Sequence, residues 1–212
     1  LTFSIWGLIY LLLVLFIIYS FVRAGDTQGD PPSFIDKIGP LFAISSVANM
    51  GWIFAWQYEV LPLSLVLMLL LLGTLIVLYR RLDIGRSSAP VREKYLVHLS
   101  FSIYLGWISV ATIANVTALL VAYGWTRFGM SESFWAILLM GIAVLLALSF
   151  SLLRSDIFYA LVVDWALLGI FLKRSASAGN ESHAVAVGAI VGLVVVSLAV
   201  LVQLARRKVY SA

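Results

Sequence analysis

Hydrophobic residues run through this chain in seven long blocks, at about residues 2–22, 40–58, 61–79, 95–123, 133–153, 157–172 and 184–205. All but 157–172 come close to the roughly 20 apolar residues that carry a helix across a bilayer. The block at 95–123 is long enough to tilt or to project beyond the membrane. The pattern predicts an all-α fold, a polytopic transmembrane bundle of about seven helices. The connections are short. Residues 59–62 leave room only for a tight antiparallel turn, and Pro62 suits the first turn of the helix that follows. Residues 23–39, with Pro31-Pro32 and several Gly and Asp, read as a flexible loop.

Inside three of these blocks the polar and aromatic residues fall on one stripe. With Tyr104 as zero and about 100° per residue, Trp107 lies at about −60°, Ala111 at about −20° and Asn115 at about +20°. With Asn49 as zero, Phe42 lies at about +20°, Ser45 at about −40°, Trp52 at about −60° and Trp56 at about −20°. Phe3, Trp6 and Tyr10 likewise share a face. An Asn at membrane depth is costly unless something bonds it, so Asn49 and Asn115 are expected to point inward. Trp6 alone also fits an interfacial aromatic belt, whereas Tyr10 is about 15 Å along its helix. Each stripe by itself reads equally as a helix-packing face with Asn as interhelical glue. Recurrence on three helices favours a pocket for a large, flat, mostly apolar ligand with a few polar edges. The expected pocket opens toward the outer side, where the depths of the three stripes overlap.

Composition removes several classes. The 212 residues are 63% hydrophobic and 11% charged, with a mean hydropathy of +1.07. A soluble domain carries about a quarter charged residues. There is no cysteine, and the two histidines, His98 and His183, are too far apart in sequence to suggest a metal cluster. His98 reads as a solvated interfacial side chain rather than a haem ligand. No nucleophile–base pair stands out, so no enzyme is expected, and no nucleic-acid partner follows from the +4 net charge. Those charges orient the chain instead. Of 14 Lys and Arg, 11 lie on the side of the 80–94 loop and the C-terminus, while Arg127, Lys173 and Arg174 lie on the other. The C-terminus is therefore expected in the cytoplasm. The chain enters a membrane span at once and without a Met, so residues upstream of Leu1 are expected. Asp164 sits midway in the sixth block, either as an intramembrane ion or proton site or as a hydrogen-bonded tie between helices. Val121-Ala-Tyr123-x3-Arg127 fits a short cholesterol-contact pattern that chance also produces.

Phe3…Trp6-x3-Tyr10, Asn49-x2-Trp52 and Tyr104-x2-Trp107-x7-Asn115 occur in this order on successive membrane segments. In that they resemble helices two, three and five of the translocator-protein (TspO, tryptophan-rich sensory protein) family, with residues 61–79 in the fourth place. The resemblance covers residues 1–123. The family's first helix and lid loop are missing, the Phe–Trp spacing is one residue short, and Ile103 stands where a Pro often precedes the family's Tyr. Residues 124–212 hold three additional transmembrane helices, which makes the chain an enlarged relative. The resemblance implies a non-enzymatic protein of the bacterial inner membrane, and an intramembrane pocket for a porphyrin- or haem-type tetrapyrrole or a sterol-like lipid. It implies transport or sensing, with homodimerisation also common in the family. Carried over by motif, the pocket residues are Trp6, Tyr10, Asn49, Trp52, Tyr104, Trp107 and Asn115, with Ala111 on the same stripe. An ion-coupled transporter using Asp164, and a pigment-holding subunit of a larger membrane complex, remain open beside it.

Overall fold

A computed structural model describes residues 2–25, 33–177 and 179–210. Among these, nine α-helices follow in order: α1 Ile5–Ala24, α2 Ser33–Ile38, α3 Leu41–Gln57, α4 Leu61–Arg81, α5 Val91–Glu93, α6 Leu99–Ala122, α7 Glu132–Arg154, α8 Ile157–Ser175 and α9 Asn180–Tyr210. A π-helical turn, Lys94–His98, joins α5 to α6. Among the described residues there is no strand, and the fold is an all-α bundle. All seven apolar blocks are helical. Among the described residues, five spans are long and apolar enough to cross a membrane: Thr2–Ala24, Leu61–Arg81, Val91–Ala122, Glu132–Arg154 and Asn180–Arg206. Of the other two, α3 has only 17 residues, and α8 carries Asp164, Lys173 and Arg174 among its 19.

The chain divides into two compact units, Phe3–Leu119 and Leu120–Ala212 together with Leu1–Thr2. In the first, α3 and α4 form the expected antiparallel pair through a turn in which Glu59 takes φ 58°. Gly51 of α3 faces the Leu67 side chain so closely that a Cβ there would sit 3.3 Å from it. This is the close approach that small residues permit between membrane helices. The buried residues of α4 are Ser64, Met68, Leu71, Thr74, Leu75, Leu78 and Tyr79, which lie along one side of the helix. Phe16, Phe42 and Phe101 pack edge to face, with ring centroids 5.0–6.2 Å apart.

Two expectations about this unit need correction. The stretch 23–39 is not loop throughout. Its end folds as α2, whose Phe34 and Ile38 are buried one turn apart, with Phe34 stacked on Tyr19 at 5.6 Å. Residues 26–32 lie outside the described residues. His98 is not solvated. The helix begins at Val91 rather than near residue 95, so His98 falls on a later turn, buried, with Nε2 3.6 Å from Glu93 Oε1.

In the second unit α7, α8 and α9 pack through small residues. A Cβ on Gly188 would meet Ile137 and Met140 of α7, and one on Gly192 would meet Val144 and Leu167. Ser131 caps α7 by accepting from the Phe134 N–H, and Asp156 caps α8 by accepting from Phe158 and Tyr159. Asp164 Oδ2 accepts a hydrogen bond of 2.9 Å from Ser197 Oγ, tying α8 to α9. Replacing Asp164 by Asn keeps an acceptor for Ser197 and should leave stability nearly unchanged. Asp164→Leu removes the tie and should destabilise by about 0.5–1.5 kcal/mol, the usual range for such bonds in membranes. Denaturant unfolding of both variants in detergent checks this; a Leu variant at least as stable as wild type would show that the bond contributes nothing net. Of the cholesterol-contact pattern, Val121 is on α6, Tyr123 lies past its end, and Arg127 bonds Glu132 at 2.8 Å.

Candidate functional site

The three stripes meet inside the first unit. Trp6 of α1 lies at the centre. It stacks on Tyr10 one turn along the same helix (5.5 Å, 26°) and on Trp52 of α3 (5.7 Å, 25°). Its edge meets Tyr104 at 6.2 Å and Trp107 at 6.3 Å, both on α6. Phe3 closes on Trp107 at 6.1 Å, and Trp56 extends the stack from Trp52 at 6.0 Å. Tyr104 and Trp107 are only 2% and 4% exposed, while Tyr10 is 42% exposed. The cluster therefore has a buried wall on α6 and an open rim on α1. Offset stacks and edge contacts of this kind contribute about 0.5–1.5 kcal/mol each beyond burial.

Polar atoms are set among these rings. Asn49 Nδ2 donates to the Tyr10 hydroxyl at 3.3 Å, joining α3 to α1. Asn115 is buried on α6 and meets Ser64 of α4 at 3.2 Å. The Ser64 hydroxyl has one proton and two acceptors in reach, Asn115 Oδ1 and the Leu61 carbonyl at 2.9 Å. Four buried atoms of these residues have no partner: Asn49 Oδ1, Trp52 Nε1, Trp107 Nε1 and Asn115 Nδ2. Turning either amide over exchanges its oxygen and nitrogen and still leaves one atom of each Asn unpaired. An unpaired buried polar group costs roughly 1–3 kcal/mol, so four amount to a large share of a protein's net stability.

Six of the eight residues singled out from the stripes thus come together: Trp6, Tyr10, Asn49, Trp52, Tyr104 and Trp107. Ala111, half-buried, and Asn115, buried, follow at four-residue steps along α6. Ser64 was not anticipated. Its signal is in the sequence, since it is the lone polar residue in the run Leu61–Leu72. Among the described residues no group of three or more His, Cys, Asp or Glu is placed to hold a metal.

Long apolar helices joined by short turns, with an aromatic and amide cluster inside one unit, define a polytopic integral membrane protein of all-α build. The chain belongs to the TSPO-like protein family, whose sequence profile matches residues 1–202. That match is wider than the three-fifths of the chain covered by the aromatic motifs, and it includes α7, α8 and most of α9. No curated protein and no solved structure matches the chain.

Proposed function

We propose that the N-terminal part, residues 1–123, is a ligand-binding helix bundle that takes a flat hydrophobic molecule against the Trp6–Trp52–Trp107 cluster, for transport or sensing. Residues 124–212 add three further transmembrane helices to it. The observation that carries this reading is the set of four unpaired buried polar atoms around stacked rings. Stacking surfaces suit a planar π system, and N–H groups with an amide suit a polar periphery. A porphyrin-type tetrapyrrole offers both. A sterol offers a hydroxyl and no π face, and is the second choice. Because the rings touch one another, the ligand enters by parting Trp6 from its neighbours at the Tyr10 rim.

The family is one whose members are generally not enzymes, and we read this chain the same way. From the family resemblance we read it as a protein of the bacterial inner membrane, and from the 11-to-3 division of basic residues we read its C-terminus as cytoplasmic. A reporter fused after Ala212 should read as cytoplasmic, and a periplasmic signal would reverse the orientation. An ion-coupled transporter is favoured by one observation only, the unpaired Asp164 Oδ1 beside the Ser197 bond. Mass spectrometry of small molecules co-purifying with the protein tests the reading: a tetrapyrrole retained by wild type and lost in Trp107→Ala supports it. Retention undiminished by that change places the molecule elsewhere.

A further inference from the structure

A hollow of about 460 Å³ lies in the second unit, between the end of α8 and the start of α9. It shares no residue with the aromatic cluster. Its lining changes character along the two helices. At the mouth are Arg174, Ser175 and Ser177, from the last turn of α8 and just beyond it, with Asn180 and His183 from the first turn of α9. Phe171, one turn back on α8, and Ala186, Val187 and Ile190, further along α9, make an apolar floor. At about 1.5 Å per residue, Asn180 to Ile190 spans roughly 15 Å. The volume lies in the roughly 300–1,000 Å³ range of small-molecule sites, and an apolar lining with a few polar groups to fix orientation is how such sites are built.

Among the described residues Arg174 is the one charged side chain of the lining, half-buried, and its guanidinium has no counter-ion. The acidic residues of this unit are Glu132, Asp156, Asp164 and Glu181, and each is bonded elsewhere. Glu132 pairs with Arg127, Asp156 caps α8, Asp164 accepts from Ser197, and Glu181 accepts from the Ser133 N–H. The end of α8 does not occupy the guanidinium either, because its last carbonyls already have donors. Ser175 Oγ donates to the Phe171 carbonyl at 2.7 Å and lies 3.3 Å from that of Leu172. Ser177 serves Lys173 through its hydroxyl and Arg174 through its N–H, both at 3.1 Å. A planar, weakly hydrated guanidinium matches a carboxylate with two parallel hydrogen bonds, and an amide and an imidazole beside it can donate to the same oxygens. We infer that this hollow binds an amphipathic carboxylate, its head on Arg174 and its hydrocarbon part on Phe171, Val187 and Ile190. A lipid phosphate offers the guanidinium the same chemistry, and the test separates the two sources.

The test uses the whole chain in phosphatidylcholine nanodiscs with a photoactivatable decanoate, the labelled peptides being mapped by mass spectrometry. Residues 171–190 should label saturably, and more strongly than the exposed Leu198, Leu201 and Val202 further along α9. Excess decanoate should compete, and decanol, which lacks the charge, should not. Arg174→Gln should raise the half-saturating concentration by about tenfold, through loss of the charge-assisted pair. Val187→Trp, a change at an exposed position, should abolish the labelling by filling the floor. If Val187→Trp does not fold, Arg174→Gln decides alone. Labelling no stronger than on those three residues, or labelling that survives either substitution unchanged, overturns the site. Equal competition by decanol overturns the recognition of a carboxylate. Exchange of phosphatidylcholine for phosphatidylglycerol should leave the labelling in place; its loss there would make the occupant a lipid phosphate and overturn the assignment to a free acid.

Discussion

Trp107→Ala is expected to weaken protoporphyrin binding by about tenfold or more. The side chain is 4% exposed, touches Trp6 and Phe3 edge to face, and carries one of the unpaired N–H groups. Its removal takes away a stacking edge worth about 1 kcal/mol, the apolar area it presents to a ligand, and a donor. Those losses together exceed the roughly 1.4 kcal/mol that makes one decade of affinity. The truncation leaves a void, so the variant should also lose stability, and its affinity is to be read well below its unfolding temperature. Trp125→Phe, in the second unit, is the control and should bind as wild type does.

Ala111→Phe is expected to remove binding altogether while changing stability little. Ala111 is half-buried, on the α6 stripe one turn beyond Trp107 and one turn before Asn115. A benzyl group there projects over the ground between the indole and the amide, where a flat ligand must lie. Phe is a modestly poorer helix former than Ala, a difference of about half a kcal/mol, so the helix itself should persist. A thermal unfolding scan in detergent beside the binding titration separates the two effects. Ligand binding retained by a folded Ala111→Phe variant would place the ligand on another face of the cluster.

Much of this architecture was legible because membrane helices announce themselves. An apolar run of about 20 residues has few other solutions, since every backbone polar group must be paired within the lipid. The stripes were legible for a related reason: Asn49 and Asn115 are costly in lipid, so the faces they share with their aromatic neighbours were expected to turn inward. What a single helix does not encode is which neighbour its polar atom finds. Asn115 reaches Ser64 and Asn49 reaches Tyr10 only because of how far each helix is rotated and slid against the next. His98 shows the same limit. A helix start misplaced by four residues made a buried group read as a solvated one, since neither Arg92 nor Glu93 looks apolar although both continue the helix.

The central claim is that the Trp6–Trp52–Trp107 cluster is a binding surface rather than a packing seam. The most direct measurement is quenching of tryptophan fluorescence by protoporphyrin, titrated in detergent on wild type, Trp107→Ala and Ala111→Phe side by side. Saturable one-to-one quenching in wild type, weakened by about tenfold in the first variant and absent in the second, is the predicted result. Saturable quenching that neither substitution changes would contradict it and leave the stripes as helix-packing surfaces.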